Sequence, residues 1–163
     1  MLSVLLCSAF IPNQNDENSE KEKINTMLDG WHQAAAEANF NHYFDALTTN
    51  SIFIGTDPTE NWNKTAFMAF AKPFFDKGKT WNFKALERNV HFSKDKKTAW
   101  FDELLDTQMK ICRGSGVLIK QNGKWKIAHY VLSIAVPNDN TNEVVKLKAS
   151  FDDALIEKLK ATK

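Results

Sequence analysis

Cysteine is nearly absent from this 163-residue chain, which has only Cys7 and Cys112. If the first is lost with an export leader, the second has no disulfide partner and reads as a small core hydrophobe in an alternating strand. An excess of charge of either sign is lacking too: Lys and Arg number 21 against 20 Asp and Glu, a net charge of +1. That balance excludes the basic surface that binding to a phosphate backbone requires, so no nucleic-acid partner is expected. The most apolar run, Met1 to Ile11, falls far short of the roughly 20 residues that cross a bilayer as a helix. No His, Cys, Asp or Glu set has metal-ligand spacing, and there is no phosphate loop, nucleophile elbow or dinucleotide fingerprint. Neither a metal nor a cofactor is therefore expected. No internal repeat is visible.

Apolar bulk is plentiful. The chain is 43% hydrophobic, with twelve Phe and five Trp, enough volume for one compact core and too short a chain for two. The apolar start, followed at once by the polar stretch Asn13 to Lys23, resembles the hydrophobic part of a signal peptide and a linker. Residues 1–19 are assigned to that leader and linker, and a periplasmic or secreted location follows. No Lys or Arg precedes the run, as if Met1 were an internal start.

Beyond the linker, hydrophobic periodicity predicts helix, helix, strand, helix, four strands, helix. Ile24, Met27, Leu28, Trp31, Ala35 and Ala38 recur at helical spacing from about Glu20 to Ala38. A short helix carries Tyr43, Phe44 and Leu47, and Ser51 to Thr56 form a strand ending at Asp57-Pro58. Asn63 reads as the cap of a third helix, with Trp62 stapled against Phe67 and with Phe70, Phe74 and Phe75 buried. Pro73 implies a kink or an early end. In the strand Trp81 to Phe92 the apolar positions change face midway, which predicts a β-bulge near Ala85 to Glu87. Thr98 to Leu105, Met109 to Lys120 and Lys124 to Val136 complete the sheet, and residues 138–163 carry an amphipathic helix.

The last two strands meet at Asn122-Gly123, the strongest short-range hairpin signal. The run Gly123-Lys124-Trp125-Lys126-Ile127-Ala128-His129 resembles the last hairpin of the nuclear transport factor two-like superfamily. Phe53 to Trp62 and Trp100-Phe101-Asp102-Glu103 are similar to strands of its SnoaL-like members. The resemblance covers residues 20–137. It implies an α+β fold in which N-terminal helices pack in the concavity of a curved, mostly antiparallel sheet, a cystatin-like cone with an apolar pocket and an added C-terminal helix. The superfamily includes isomerases, dehydratases, cyclases, association domains and proteins that only bind.

Two hairpin registers are open. A two-residue turn at Asn122-Gly123 pairs Gly116 with His129. A three-residue loop, Gln121-Asn122-Gly123, puts Gly114, Gly116 and Leu118 on the inner face with Ala128, Tyr130 and Leu132, and this register is favoured because it leaves room beside Tyr130. The outer face then holds Arg113, Ser115, Val117 and Ile119 with Trp125, Ile127, His129 and Val131, too apolar for water. A homodimer packed sheet to sheet is expected there.

The chemistry expected of the pocket follows from these positions. Asp57 resembles the Asp-Pro base of ketosteroid isomerases, and its plain alternative is an Asp-Pro turn. Asp102 and Glu103 are adjacent in a strand and face opposite ways; Asp102, with Trp100, is placed inward beside Gly114. His32 reads as a half-exposed packing residue and His129 as an interface residue. The first expectation is an exported protein that binds a small hydrophobic or amphipathic molecule among Trp31, Phe53, Trp62, Phe74, Trp100, Gly114, Gly116, Tyr130 and Leu132. The alternative is a proton-transfer enzyme, an isomerase, dehydratase or cyclase, with Asp57 or Asp102 as base and Tyr130 as hydrogen-bond donor.

Overall fold

The structure, a computed structural model, describes residues 14–162, and the apolar start assigned to export lies outside them. The chain divides into two compact units, meeting at Ser133 and Ile134. The first is built from helix α1 (Gln14–Ala36), helix α2 (Phe40–Asp45), strands β1 (Leu47–Ile54) and β2 (Asn61–Asn63), helix α3 (Lys64–Asp76), and strands β3 (Lys84–Phe92), β4 (Thr98–Thr107), β5 (Lys110–Gln121) and β6 (Lys124–Ile134). The six strands form one sheet in the order β2-β1-β6-β5-β4-β3. Its pairs are antiparallel except β1 with β6. A parallel neighbour cannot follow through a tight turn, so the chain between β1 and β6 builds the rest of the sheet first.

Local signals act where they were expected. The Asn63 side chain accepts the Ala66 N–H at 2.9 Å and starts α3. Trp62 stacks on Phe67 at 5.6 Å, although Trp62 belongs to the short strand β2. The register of β3 slips between Ala85 and Glu87, which bends the edge of the sheet. Other expectations need correction. α1 starts at Gln14, ahead of Glu20, and β1 starts at Leu47, so Leu47 is a strand residue. Pro73 lies inside α3, which runs on to Asp76. Phe75 is buried, but Phe74 is 43% and Phe70 42% exposed: three Phe in the last two turns cannot all lie on one face of a helix.

The hairpin holds a further correction. β5 ends at Gln121 and β6 begins at Lys124, with Asn122 at φ 50° and Gly123 at φ 77°. This is the two-residue primed turn and not the favoured three-residue loop. Along β6 the buried residues are Trp125, Ile127, Tyr130 and Leu132, with Ala128 and His129 half-buried between them. The alternation thus slips by one residue at the middle of the strand. Tyr130 and Leu132 face inward with Gly114, Gly116 and Leu118, all of them buried, but Trp125 and Ile127 do so as well and are not outer-face residues. Trp125 donates its indole N–H to Glu20 of α1 at 2.8 Å, and Ile127 is wholly enclosed.

The second unit contains a short 3-10 turn (Asn138–Asn140) and helix α4 (Thr141–Ala161). None of the side chains of α4 is buried, and Leu147 is 85% exposed. No described helix is long and apolar enough to cross a membrane.

Candidate functional site

An aromatic recess opens between β1, β2, α3 and the turn linking β4 to β5. Phe53 points inward from β1 and stacks on Phe67 of α3, with ring centroids 4.0 Å apart. The antiparallel pairing of β1 with β2 sets Trp62 opposite Phe53. Trp62 in turn stacks on Phe70 at 4.6 Å. Trp81 and Phe83, in the segment leading into β3, supply another wall, and Leu132 belongs to the floor. Gln108 and Met109 arrive from the β4–β5 turn, which Thr107 shapes by accepting the Met109 N–H on its hydroxyl at 2.9 Å and donating to the Lys110 carbonyl at 2.8 Å. The recess encloses about 140 Å³. A space of that size, about 150 Å³, holds a molecule such as benzene. Thr56, Glu60 and Gln108 are its polar lining residues.

Of the expected binding residues, Phe53, Trp62 and Leu132 line this recess. Trp31, Gly114 and Gly116 are buried but do not line it, and Phe74 and Trp100 stand exposed at 43% and 48%. Trp100 lies on the outer face of β4, where it stacks on His91 at 5.8 Å. Asp102 shares that face, 3.4 Å from Arg113. The orientation expected for Trp100 and Asp102 is thus reversed, because Ala99, Phe101, Glu103 and Leu105 form the buried set of β4. Asp57 is exposed in a turn, where the Thr59 hydroxyl and then the Thr59 N–H bind its carboxylate and hold it below the usual carboxylate range. Such a group is a weak base. The sequence does not single out Glu60, Phe67, Phe70, Trp81, Phe83, Gln108 and Met109 as site residues, since they converge from four segments with no common spacing.

Beside the aromatic recess lies a buried polar network centred on Glu103, which is fully enclosed. One carboxylate oxygen receives the Tyr130 hydroxyl at 3.0 Å and lies 2.9 Å from His32 Nε2. The other receives Arg88 Nε at 2.9 Å, with a second guanidinium nitrogen at 2.8 Å. Arg88 also reaches Asp29 of α1 at 2.9 Å. Burial pushes the Glu103 carboxyl upward, but the hydrogen bonds and charges of His32 and Arg88 outweigh it, and the group stays below its ordinary value. An ionised carboxylate only accepts, so His32 presents Nε2–H to it. Tyr130 is driven well above its ordinary value, first by burial and then by the Glu103 charge, and remains a neutral donor. His32 is 4% exposed, which corrects its reading as a half-exposed residue. Gly114 makes room for this cluster: a Cβ there would sit 2.9 Å from Tyr130 Cζ and 3.0 Å from Glu103 Cγ. The signal that finds Glu103 is strand parity, since an inward Phe101 and Leu105 carry it inward too.

Helices packed in a bent sheet around an aromatic recess define the cone-shaped α+β class of nuclear transport factor two-like proteins. Residues 24–137 match the SnoaL-like domain, and the chain belongs to that family. Among solved structures it is similar to a nuclear transport factor two-like protein of unknown function from Pseudomonas putida (14% identity, TM-score 0.62, 76% of this chain and 92% of the other). The association domain of C. elegans CaMKII shares 18% identity over 74% of this chain and 99% of its own length, with a TM-score of 0.61. A Nostoc punctiforme protein of unknown function with a cystatin-like fold gives 10% identity and a TM-score of 0.58 over 72% and 92% of the two chains. No curated protein matches the sequence. At these identities the structural likeness concerns the fold alone.

Proposed function

We propose that this domain binds a small, mainly apolar molecule in the recess among Phe53, Trp62, Phe67, Phe70, Trp81 and Phe83. The supporting observation is the recess itself, about 140 Å³ walled by aromatic rings with a few polar groups among its lining residues, the composition typical of a small-molecule site. Binding is favoured over proton transfer by the expected bases because neither Asp57 nor Asp102 is among the residues lining the recess, while Glu103 is held ionised and engaged on both oxygens. The test is titration with benzyl alcohol, followed through the indole N–H resonances of Trp62 and Trp81. Saturable shifts at those two residues, abolished when Met109→Trp fills the recess, support the reading. Shifts spread evenly over the surface, or none, refute it.

Two further parts of the reading concern where and in what state the protein works. Export follows from the apolar run Met1 to Ile11 ahead of a polar stretch; recovery of an unprocessed chain from the cytoplasm of its natural host would reject it. Self-association through the outer sheet face retains the support of half-exposed Val117, His129 and Val131 with Ile119, 38% exposed, and Trp100. Arg113 shares that face through its contact with Asp102, whereas Trp125 and Ile127 take no part in it.

A further inference from the structure

We propose that the ligand of the aromatic recess is a small organic cation, an alkylated ammonium about the size of choline. This rests on the reading that the recess binds a ligand, and it names the chemistry that would fill it.

Glu60 is the one charged residue among those lining the recess. A short loop pins it in place. Its carbonyl accepts the Gly55 N–H at 3.1 Å, its N–H donates to the Asp57 carbonyl at 3.0 Å, and its carboxylate accepts the Asp57 N–H at 3.2 Å. The side chain folds back across Gly55, where a Cβ would stand 3.0 Å from the Glu60 carboxyl carbon and 3.1 Å from its Cβ. Gly55 therefore permits the carboxylate to lie along the recess.

The ion pairs among the described residues do not include Glu60. The contrast with the buried carboxylates is informative: Glu20 holds Lys23 and Lys120, and Glu103 holds Arg88. Glu60, a half-buried residue whose carboxylate makes none of those ion pairs, leaves a negative site beside the aromatic walls, and a guest that covered it without supplying a counter-charge would be disfavoured. Aromatic faces are themselves negative, so rings and carboxylate attract the same kind of guest. An anion is repelled by both, and a neutral apolar guest leaves the carboxylate unpaired. At about 140 Å³ the space suits one quaternary ammonium head, and Phe70, lining the recess yet 42% exposed, marks where a substituent would leave it.

The experiment compares choline with the neutral alcohol in which carbon replaces its quaternary nitrogen, both titrated into the full chain and followed at the Trp62 and Trp81 indole N–H. Choline is expected to bind about tenfold tighter than its isostere. Glu60→Gln keeps an acceptor for the Asp57 N–H, so it preserves the loop. It is expected to weaken choline about tenfold while leaving the isostere within about twofold. Equal affinity for the two compounds, or a choline affinity unchanged in Glu60→Gln, overturns the proposal. So does the absence of choline binding, and benzyl alcohol then separates the two claims. If it still shifts Trp62 and Trp81, only the cationic class is lost; if it does not, the recess reading falls as well.

Discussion

Glu103→Gln tests whether the enclosed polar network is a structural unit. The substitution removes a charge but almost no volume, and its consequence can be worked out donor by donor. Glu103 accepts from Tyr130, His32 and Arg88 on two oxygens. Glutamine offers one oxygen and one NH2, so either Arg88 or the pair Tyr130 and His32 meets a donor where it had an acceptor. Arg88, whose side chain is 6% exposed, is left with the neutral Asn25 carbonyl at 3.3 Å and, as its only remaining counter-charge among the described residues, Asp29, whose own side chain is 64% exposed and screened by water. Breaking a buried ion pair from one side costs about 3–5 kcal/mol, a large part of the roughly 5–15 kcal/mol that holds a domain folded. Urea unfolding should show a midpoint lowered accordingly with the slope unchanged. Arg88→Met in the same chain removes the stranded charge, so the double variant should be more stable than the sum of the two single losses by at least about 2 kcal/mol. A loss below about 1 kcal/mol in Glu103→Gln, or additive effects in the double variant, would refute this account of the network.

Three other outcomes follow from the same geometry. Gly114→Ala drives a methyl into Tyr130 and Glu103 and should lower stability by about 1–3 kcal/mol, read by thermal unfolding; an unchanged midpoint would mean that the cluster can move aside. Glu20 is pushed up by burial but pulled down to about 2, against an ordinary 4.5, by Lys120, Lys23 and Trp125. Because its folded value is the lower one, its stabilisation is complete above about pH 4.5 and drains away as pH falls toward 2. With Lys23 exposed to solvent this amounts to about 1–2 kcal/mol, and Glu20→Gln should flatten that stretch of the stability curve; identical curves for the two proteins would contradict it. Ile127→Asp should abolish folding, since Ile127 is fully buried, whereas Val117→Asp on the outer face should leave a folded chain and convert the proposed dimer to monomers in light scattering. A monomeric parent protein would remove the dimer.

Features that depend on a few neighbouring residues are legible in the amino-acid order. Asn63 starts a helix because its side chain reaches an N–H three residues on. Asn122-Gly123 turns the chain because both residues tolerate positive φ. The apolar positions of β3 change face at Ala85 to Glu87, and the bulge is there. Those local signals placed the elements in order, and the resemblance of the runs at Phe53 to Trp62, Trp100 to Glu103 and Gly123 to His129 to strands of a known superfamily implied the cone-shaped class.

Which face of a strand looks inward, where both faces carry large apolar groups, is settled by packing against the helices. Trp100 and Phe101 are equally hydrophobic to a reader of the sequence, and Phe101 is buried because its face also carries Ala99 and Leu105 against the helices. That choice takes Glu103 inward, to His32 71 residues away, and leaves Asp102 outside. Trp125 and Ile127 join the core through a slip in the middle of β6 that no turn residue announces. The recess is likewise assembled from β1, β2, α3 and the β4–β5 turn, and its one lining carboxylate, Glu60, looks in the sequence like any polar loop residue. Period and turn chemistry act over a few residues, whereas burial of a charge and closure of a cavity depend on partners that meet only when the chain is folded.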